Sequence, residues 1–540
     1  MKTKFFFASI ALIAASITSF AQGYKDGIEY YKIGQFDNAK ELLERNLNAA
    51  STDKAEAFYY LGQVALHQGN TAAAKSFFDK GVTANPNNPL NYVGQGALAV
   101  KAGADGKAFF DQARKLAKKD CALEMQIARA MYDANPVKYA KDITKCINNA
   151  RKWNAKDPAS YIFEGDTYAD KQEWGAAAGQ YELAFTNDDD NVEAYVKYAN
   201  TYFNVNPDMA IARLEELNTK KPNIALVQRQ LAEKYYSDNQ GVKAAEKYGE
   251  YIQNPNHFTQ DEVRFVQLLF FGQKYNESLN LAKSIVNAAT SSQTDKFYMR
   301  RMMLYNLVQL EDYVEAVEAG KQFFDMALPA GSTYEVRDYT DYAQALQKIN
   351  MAEEAVAAYE KAIELNPKNL DLLRGLSDSY AAGNDFAKAA YYYQKVIDSN
   401  EYVANDLFEA GVAYYNHAVT AEDPAVKADA LNKARNFLVQ VNEKVPGNVR
   451  IVNQMAAIEK VAEGEKITGK ATPIYKQLIE LLDAKEDKSG YESFYRRAYN
   501  YLANVAFNNG DKETAKEYYK KWLEYDPDNE ALRKYVESLK

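Results

Sequence analysis

Small residues recur along this chain at intervals close to 34 residues, and this period restricts its fold more than any other feature of the sequence. The successive intervals are 35, 34, 69, 33, 34, 34, 38, 39 and 34 residues, of which the third spans two periods. A repeat of this length buries its apolar face only by stacking on neighbouring repeats, so the period predicts a solenoid. The small residues that define it are Ala39, Ala74, Ala108, Ala177, Ala210, Ala244, Ser278, Ala316, Ala355 and Ala389.

Each repeat contains two segments of helical pattern joined by a short turn. Gly34-Gln35-Phe36-Asp37 and Gly69-Asn70-Thr71 are two such turns. Longer breaks at Asn85-Pro86 and Asn366-Pro367 separate one pair from the next, because the residue before a proline disfavours helix. The sequence therefore predicts an all-α protein of stacked helix pairs.

The residues around the turns resemble the tetratricopeptide repeat (TPR), whose pattern is W-x2-L-G-x2-Y, then A-x3-F, then P over 34 residues. The resemblance implies an α-solenoid, a right-handed superhelix of about 12 helix-turn-helix repeats whose first helices line a concave, peptide-receiving side. The second unit carries the pattern on Phe58, Leu61, Gly62, Ala65, Ala74, Phe78 and Pro86, and the last unit on Tyr499, Leu502, Ala503, Ala506, Ala515, Tyr519 and Pro527.

Departures from the pattern divide the chain into segments. We predict a signal peptide at residues 1–21 and an N-terminal array at 22–416 that is irregular at 119–156 and 256–290. An irregular helical segment at 417–490 follows, and 491–540 form the last repeat with a capping helix.

Residues 1–21 have the parts of a secretory signal peptide. Lys2 and Lys4 precede about 13 apolar residues, and Ser19 and Ala21 supply the small side chains of a cleavage site. No later segment approaches the ~20 apolar residues that span a membrane. We therefore expect an exported protein of residues 22–540 without a transmembrane span, located in the periplasm or otherwise secreted.

The charge of the chain excludes nucleic acid as a partner. The sequence contains 65 basic and 74 acidic residues, and loss of Lys2 and Lys4 with the signal peptide changes the formal net charge from −9 to −11. Polyanion binding depends on clustered positive charge, and no Lys/Arg-rich run is present.

Cys121 and Cys146 are the two cysteines of the chain. In an oxidising compartment an even pair suggests a disulfide, and closing a loop of about 26 residues would add roughly 3 kcal/mol. Two separate buried thiols are the alternative, and the sequence leaves both open.

No pattern of catalytic or metal-binding residues is present. His67, His257 and His417 lie in different repeats, and none has a second His or Cys at ligand spacing. Residues 464–470 have the spacing of a phosphate-binding loop, but Ala471 stands where Ser or Thr would hold magnesium and the preceding segment is helical. We predict no metal, no cofactor and no enzymatic activity.

The resemblance places a set of polar and aromatic residues on the concave side of the first helices. Tyr and Arg are the residue types that most often anchor interfaces, and the chain contains 42 tyrosines. The set consists of Tyr59, Gln63, His67, Glu193, Asn200, Arg229, Glu233, Tyr236, Arg301, Tyr305, Arg374, Asp378, Tyr415, Arg497, Asn500 and Asn504.

We predict that this surface binds a protein or peptide, as in a non-enzymatic scaffold that supports assembly of an envelope complex. The alternative is a glycan-binding protein whose groove tyrosines stack on sugar rings. The sequence identifies no specific partner.

Overall fold

The computed structural model describes residues 23–539, so the predicted signal peptide lies outside the described residues. The described residues are 74% helical and contain 29 helices and no strand. Odd-numbered helices are the first members of helix pairs, even-numbered helices are the second members, and one helix follows the last pair. The predicted all-α solenoid is therefore confirmed.

The described residues form two compact units, which divide between Ile285 and Val286. The helices of the first unit, the last of which ends just past the boundary, are α1 (Gly23–Lys32), α2 (Phe36–Asn46), α3 (Lys54–His67), α4 (Thr71–Ala84), α5 (Leu90–Lys101), α6 (Lys107–Leu116), α7 (Cys121–Ala134), α8 (Ala140–Trp153), α9 (Pro158–Asp170), α10 (Trp174–Asn187), α11 (Val192–Tyr202), α12 (Pro207–Lys220), α13 (Ala225–Ser237), α14 (Gly241–Ile252), α15 (Asp261–Phe271) and α16 (Tyr275–Asn287).

The second unit continues the same alternation. Its helices are α17 (Gln293–Gln309), α18 (Tyr313–Phe324), α19 (Val336–Lys348), α20 (Ala352–Leu365), α21 (Leu370–Ala382), α22 (Phe386–Asp398), α23 (Ala404–Thr420), α24 (Pro424–Lys444), α25 (Val449–Ala462), α26 (Thr472–Asp483), α27 (Glu492–Asn508), α28 (Lys512–Glu524) and α29 (Glu530–Ser538).

The small residues of the period lie where the two helices of a pair meet. Nine of the ten are completely buried, as close helix approach requires. Ala108 is the exception, because it lies exposed in the first turn of α6 while Phe110 and Ala113 fill the interior of that pair. The assignment of Ala108 to the buried position was therefore wrong.

Large aromatic residues join neighbouring pairs, and Phe78 illustrates how. A Cβ atom built on Gly62 of the same pair would lie 2.3 Å from the Phe78 ring, and one built on Gly94 of the next pair would lie 2.4 Å from it. The ring is thus held between two glycines on successive first helices.

The irregular stretches contain ordinary helices. Residues 119–156 include α7 and α8, and residues 256–290 include α15 and α16. The described residues therefore form fourteen pairs rather than about 12, because weak sequence matches concealed pairs. The predicted boundary at 416–417 falls inside α23, and the predicted division into arrays stays a prediction.

Cys121 and Cys146 are two separate, buried thiols. The Cys121 thiol donates a hydrogen bond to the Ala150 carbonyl, and Arg114 donates one to Cys146 Sγ. Burial raises the pKa of Cys146 to about 12. Of the two alternatives left open by the sequence, the structure has the unbridged one.

No helix within residues 23–539 is both long enough and apolar enough to cross a membrane.

Candidate binding chamber and inner faces

The inner face of the first unit is closed, because its first helix pair packs against its seventh. Helix α1 contacts α11 and α13. Asn256 donates a buried hydrogen bond of 2.7 Å to Asp26, and the rings of Tyr30 and Phe258 meet edge to face at 5.3 Å. We call these contacts between residues 26–45 and 229–258 the seam.

The first helices of this unit line a partly open cavity of about 650 Å³, and a smaller cavity of about 270 Å³ shares part of its lining. We call the two together the chamber. Asp53, Asp120, Asp157 and Asn191 cap the N-termini of α3, α7, α9 and α11 through side-chain hydrogen bonds to backbone N–H groups, which fixes where these helices begin. The residues common to both cavities are Tyr31, His67, Gln126, Arg129 and Asp133.

A network of charges lies on one side of the chamber. Asp166 accepts hydrogen bonds from Lys197 Nζ at 2.9 Å, from Tyr181 Oη at 2.8 Å and from Arg129 Nη2. Lys197 also donates to Glu193 at 2.7 Å. Burial alone would raise the pKa of Asp166, but Lys197 and Arg129 hold it below its ordinary value.

Asp133 lies beside this network and is less well compensated. Its carboxylate is 3.7 Å from Arg129 Nη1 and 4.0 Å from His67 Nε2, both beyond hydrogen-bonding distance. Burial raises the pKa of Asp133 and lowers the pKa of His67, despite their attraction for each other. At neutral pH the imidazole is therefore uncharged and does not balance the carboxylate.

Aromatic rings form another wall of the chamber. Phe36 stacks on the His67 imidazole at a centroid distance of 4.5 Å, and Tyr31 meets Tyr60 edge to face at 5.1 Å. Phe163 belongs to the same lining. The chamber thus combines apolar ring surfaces with charged groups.

The larger cavity carries more negative than positive charge. Its lining contains three cationic side chains and five carboxylates, so it has two more negative charges when His67 is neutral. These are Lys32, Arg129 and Lys197 against Asp133, Asp157, Asp166, Asp170 and Glu193.

Four residues of the predicted concave set are buried, so they are not open to a partner in this structure. Their polar groups form hydrogen bonds within the protein. Tyr59 donates to Gln126 at 2.9 Å, and Tyr305 donates to Asp338 at 2.7 Å. The four are Tyr59, Gln63, Arg301 and Tyr305.

The three predicted arginines of α13, α17 and α21 connect successive first helices. Each donates two hydrogen bonds, through Nε and Nη2, to the carboxylate of an aspartate near the start of the next first helix, at 2.8 to 3.0 Å. This geometry is the strong bidentate form of the ion pair. We call them the inner clasps: Arg229 with Asp261, Arg301 with Asp338, and Arg374 with Asp406.

Glu233 and Tyr236 are engaged in a similar way. Glu233 accepts two hydrogen bonds from Arg264 of the next first helix, and the Arg264 guanidinium lies 4.4 Å from the centre of the Tyr236 ring. Both residues therefore join α13 to α15.

A second recurring contact fixes the inner-face residues Asp378 and Asn504. Tyr393 and Tyr519 each donate to the residue fifteen positions earlier, at 2.8 and 2.9 Å. Tyr181 makes the same contact with Asp166. The second-helix tyrosine thus reaches across its pair to the inner face, and the hydroxyl explains why tyrosine rather than phenylalanine stands there.

The remaining predicted residues are at least partly accessible. His67, Asn200, Asp378 and Arg497 are exposed, and Tyr415, Asn500 and Asn504 are half-buried. In the second unit burial raises the pKa of Tyr415, and the charge of Arg497 opposes this rise, which places α23 and α27 within electrostatic reach.

The sequence missed most of the chamber. Arg129 and Asp133 lie in the stretch 119–156, where weak repeat matches gave no inner positions to carry over. Lys197 stands one helical turn after Glu193, so the four-residue spacing of an inner helix face could have found it. Lys32 has no such spacing from a predicted inner-face residue, so the sequence did not indicate it.

The loop that resembles a phosphate-binding loop is occupied by the chain itself. Glu463 accepts hydrogen bonds from the backbone N–H groups of Thr468, Lys470 and Ala471, and from the Tyr501 hydroxyl at 2.6 Å. A carboxylate of the protein therefore takes the place of a phosphate. Residues 23–539 contain no group of three side chains that could hold a metal ion.

Comparison with protein families identifies three segments as tetratricopeptide repeats. Residues 24–89 and 341–404 match one form of the repeat, and residues 497–529 match another. The comparison with curated proteins gives no match.

Solved structures of similar fold include the C-terminal part of a TPR repeat-containing protein from Cytophaga hutchinsonii, with 21% identity and a TM-score of 0.40 over 50% of this chain and 98% of that one. A thermophilic TPR protein of Thermus thermophilus has 18% identity and a TM-score of 0.27, over 38% and 98% of the two chains. YrrB, described as a TPR protein with an unusual peptide-binding site, has 16% identity and a TM-score of 0.29, over 42% and 97%.

Proposed function

Because this chain is a tetratricopeptide repeat protein, we propose that it is an exported, non-enzymatic scaffold that binds a protein or peptide and supports assembly of an envelope complex. Stacked helix pairs present broad inner surfaces, and proteins of this fold serve protein–protein interaction. Membership of the family does not identify the binding partner, so the partner has to be inferred from the inner faces of this chain.

The chamber is the observation that carries the proposal. Elsewhere on the inner faces, the clasp arginines and the inter-helix tyrosines are engaged with neighbouring helices. In the chamber, by contrast, aromatic rings and an incompletely compensated carboxylate border empty space. Polar and aromatic groups that converge on a cavity are typical of a binding site.

Glycan binding receives less support from the inner faces. Tyr59 and Tyr305 are buried, and the Tyr236 ring is covered by Arg264. These tyrosines offer no open ring face on which a sugar could stack.

The partner can be identified by affinity capture from native envelope extract with tagged protein of residues 22–540. We expect one envelope protein to be retained and to bind again when both proteins are purified. The variant Arg497→Ala/Asn200→Ala, which truncates two exposed inner-face residues, tests whether the inner faces contribute. Lys520→Ala, which removes an exposed charge from α28, is the control. If no purified envelope protein binds at any salt concentration, the scaffold proposal is wrong.

Export is tested separately by fractionating cells and sequencing the N-terminus of the protein. We expect a chain that begins at Gln22 in the periplasmic or extracellular fraction. A chain that begins at Met1 in the cytosolic fraction would contradict export without affecting the binding proposal.

A further inference from the structure

The chamber is partly open to solvent and is bordered on one side by the seam, which limits what can enter it. Helix α1 packs against α11 and α13, and the seam contains a buried hydrogen bond between residues 230 positions apart. The seam therefore reduces the room for an extended segment along the inner faces of these helices. A single side chain needs only the space of the chamber, which is about 650 Å³ in its larger part.

The charge of the chamber favours a cation. The Arg129 guanidinium is committed to Asp166, and Lys197 to Asp166 and Glu193. Asp133 has its nearest positive nitrogen at 3.7 Å. Over the whole chamber the carboxylates outnumber the cations by one, because Lys101 lines the smaller cavity. An entering cation would find an acceptor that the protein itself satisfies only weakly.

The aromatic wall suits the rest of such a side chain. Tyr31, Phe36, Tyr60 and Phe163 line the same cavity as Asp133. Phe36 is stacked on His67, and Arg129 lies 5.1 Å from the centre of the Phe163 ring, so these rings offer apolar surface to the methylene stem of a long side chain rather than an open face to its charge.

We propose that the chamber binds the side chain of a lysine or arginine of the partner protein, with Asp133 as the carboxylate that receives the cationic group. This inference rests on the proposed scaffold function, whose partner it characterises by chemistry.

The test uses three capped tripeptides, acetyl-Gly-Arg-Gly-amide, acetyl-Gly-Lys-Gly-amide and acetyl-Gly-Gln-Gly-amide, titrated into the 22–540 protein by ligand-observed NMR. We expect the Arg or Lys peptide to bind at least tenfold more tightly than the neutral Gln peptide. Equal binding of all three peptides, or no binding, would overturn the proposal.

Substitutions locate the site. Asp133→Asn keeps the shape of the side chain and should lower the affinity for the cationic peptides at least tenfold, whereas Asp133→Glu keeps the charge and should retain most of it. Glu246→Gln removes an exposed carboxylate of α14, outside the chamber, and should have no effect. Thermal unfolding checks that each variant is folded. If Asp133→Asn and Glu246→Gln behave alike, the cation does not bind at Asp133.

The two proposals fail in different ways. If a captured envelope protein binds wild type and Asp133→Asn equally, the scaffold function stands and the chamber proposal falls. If the cationic peptides bind but no envelope protein does, the chamber accepts a cation and the scaffold function is contradicted.

Discussion

The inner clasps and the chamber both consist of charged residues on first helices, yet only the clasps recur along the chain. Each clasp places a bidentate arginine on an aspartate of the next first helix, with separations of 32, 37 and 32 residues. The larger cavity of the chamber combines charges from four different helices, α1, α7, α9 and α11, with the neutral His67 on a fifth, α3.

In a repeat protein this difference helps to distinguish residues that stabilise the stack of repeats from residues that are available to bind a partner. A contact that returns with the period joins one repeat to the next. In the chamber Arg129 and Lys197 likewise join α7 and α11 to α9 through Asp166, whereas Asp133 is beyond hydrogen-bonding distance of its neighbours. Arg229, Arg301 and Arg374 were predicted to contact a partner because arginine is a typical interface residue, but their recurring ion pairs identify them as joints between repeats.

Arg301→Ala should have the largest effect, because it breaks a buried clasp. Arg301 and Asp338 are 6% and 0% exposed, so truncation leaves a buried aspartate without its cation. Breaking such a pair costs about 3–5 kcal/mol. Long arrays do not unfold in a single step, so the loss is best measured as faster hydrogen exchange in α17 and α19 together with a lower denaturation midpoint.

The adjacent Arg300 is the matched control for that change. Its guanidinium donates to Gln322 near the surface, and Arg300→Ala should change stability by less than about 0.5 kcal/mol. Equal losses in the two variants would show that the clasp contributes no more than a surface contact.

Glycines recur in the turns within helix pairs, and substituting one of them tests whether this recurring backbone conformation contributes to stability. Gly69 lies in a turn between the helices of a pair with a φ of 78°, and the equivalent turns at Gly34 and Gly510 have φ values of 80° and 82°. A Cβ atom at Gly69 meets nothing within 4 Å, so Gly69→Ala isolates backbone strain and should cost about 1–2 kcal/mol.

Gly179 provides the opposite case within the same unit. It lies inside α10, where an added Cβ also meets nothing within 4 Å, so Gly179→Ala should stabilise the protein by about 0.5–1 kcal/mol through helix propensity. Denaturant titration of both variants measures whether each substitution raises or lowers the free energy of unfolding. Destabilisation in both would mean that the positive φ at Gly69 is not the cause.

The fold could be predicted from the sequence in detail because its signals are local and repeated. Ala74, Gly62 and Phe78 occupy the positions that the 34-residue pattern assigns them, and the pattern returns often enough to fix the period. Ala108 shows the limit of this reasoning, since the longer turn before α6 shifts the buried position to Phe110.

The candidate site could not be predicted in the same way. Asp133 lies near His67 although their helices, α7 and α3, are not consecutive first helices, and the side of the chamber formed by α1 and α11 depends on seam contacts such as Asp26 with Asn256. Nothing in the repeat pattern encodes a contact between residues 230 positions apart. The exposed position of His67 could be inferred from the pattern, whereas the groups that surround it could not.

The pH dependence of peptide binding sharpens the contrast, because the chamber contains an imidazole and the clasps do not. His67 faces Asp133 and Arg129 from α7, Lys101 from α5 and Tyr31 from α1. Its pKa is lowered by burial, so the folded protein takes up a proton there only below about pH 6.5.

Protonation of His67 adds a positive charge beside Asp133, and the raised pKa of Asp133 makes that carboxylate easier to neutralise. Both effects oppose a cationic guest. The affinity for the Arg and Lys peptides should therefore fall several-fold between about pH 7.5 and about pH 5.5, and His67→Gln should reduce this dependence. NMR titrations at the two pH values measure it, and an affinity that rises on acidification would contradict the assignment.

The smallest expected effect is the change in stability caused by Asp133→Asn, which should have the opposite sign to the loss of a clasp charge. Removing a clasp charge should destabilise the protein, whereas Asp133→Asn should stabilise it at neutral pH. Burial raises the folded-state pKa of Asp133 above its ordinary value, so its ionisation costs stability at every pH above that value. The gain should be about 0.5 kcal/mol, since the carboxylate is 38% exposed and solvent screens it.

The sign of the pH effect distinguishes this origin from a change in packing. As the pH falls toward the ordinary pKa of an aspartate, Asp133 of the wild type becomes protonated. The folded wild type then no longer carries the free-energy cost of an ionised Asp133, a cost that the Asp133→Asn variant never has. The advantage of Asp133→Asn should therefore shrink on acidification, whereas a packing effect would stay constant. Denaturation midpoints of wild type and variant at about pH 7 and about pH 4 decide between them. A variant less stable than wild type at neutral pH would place Asp133 with the clasps as a structural charge.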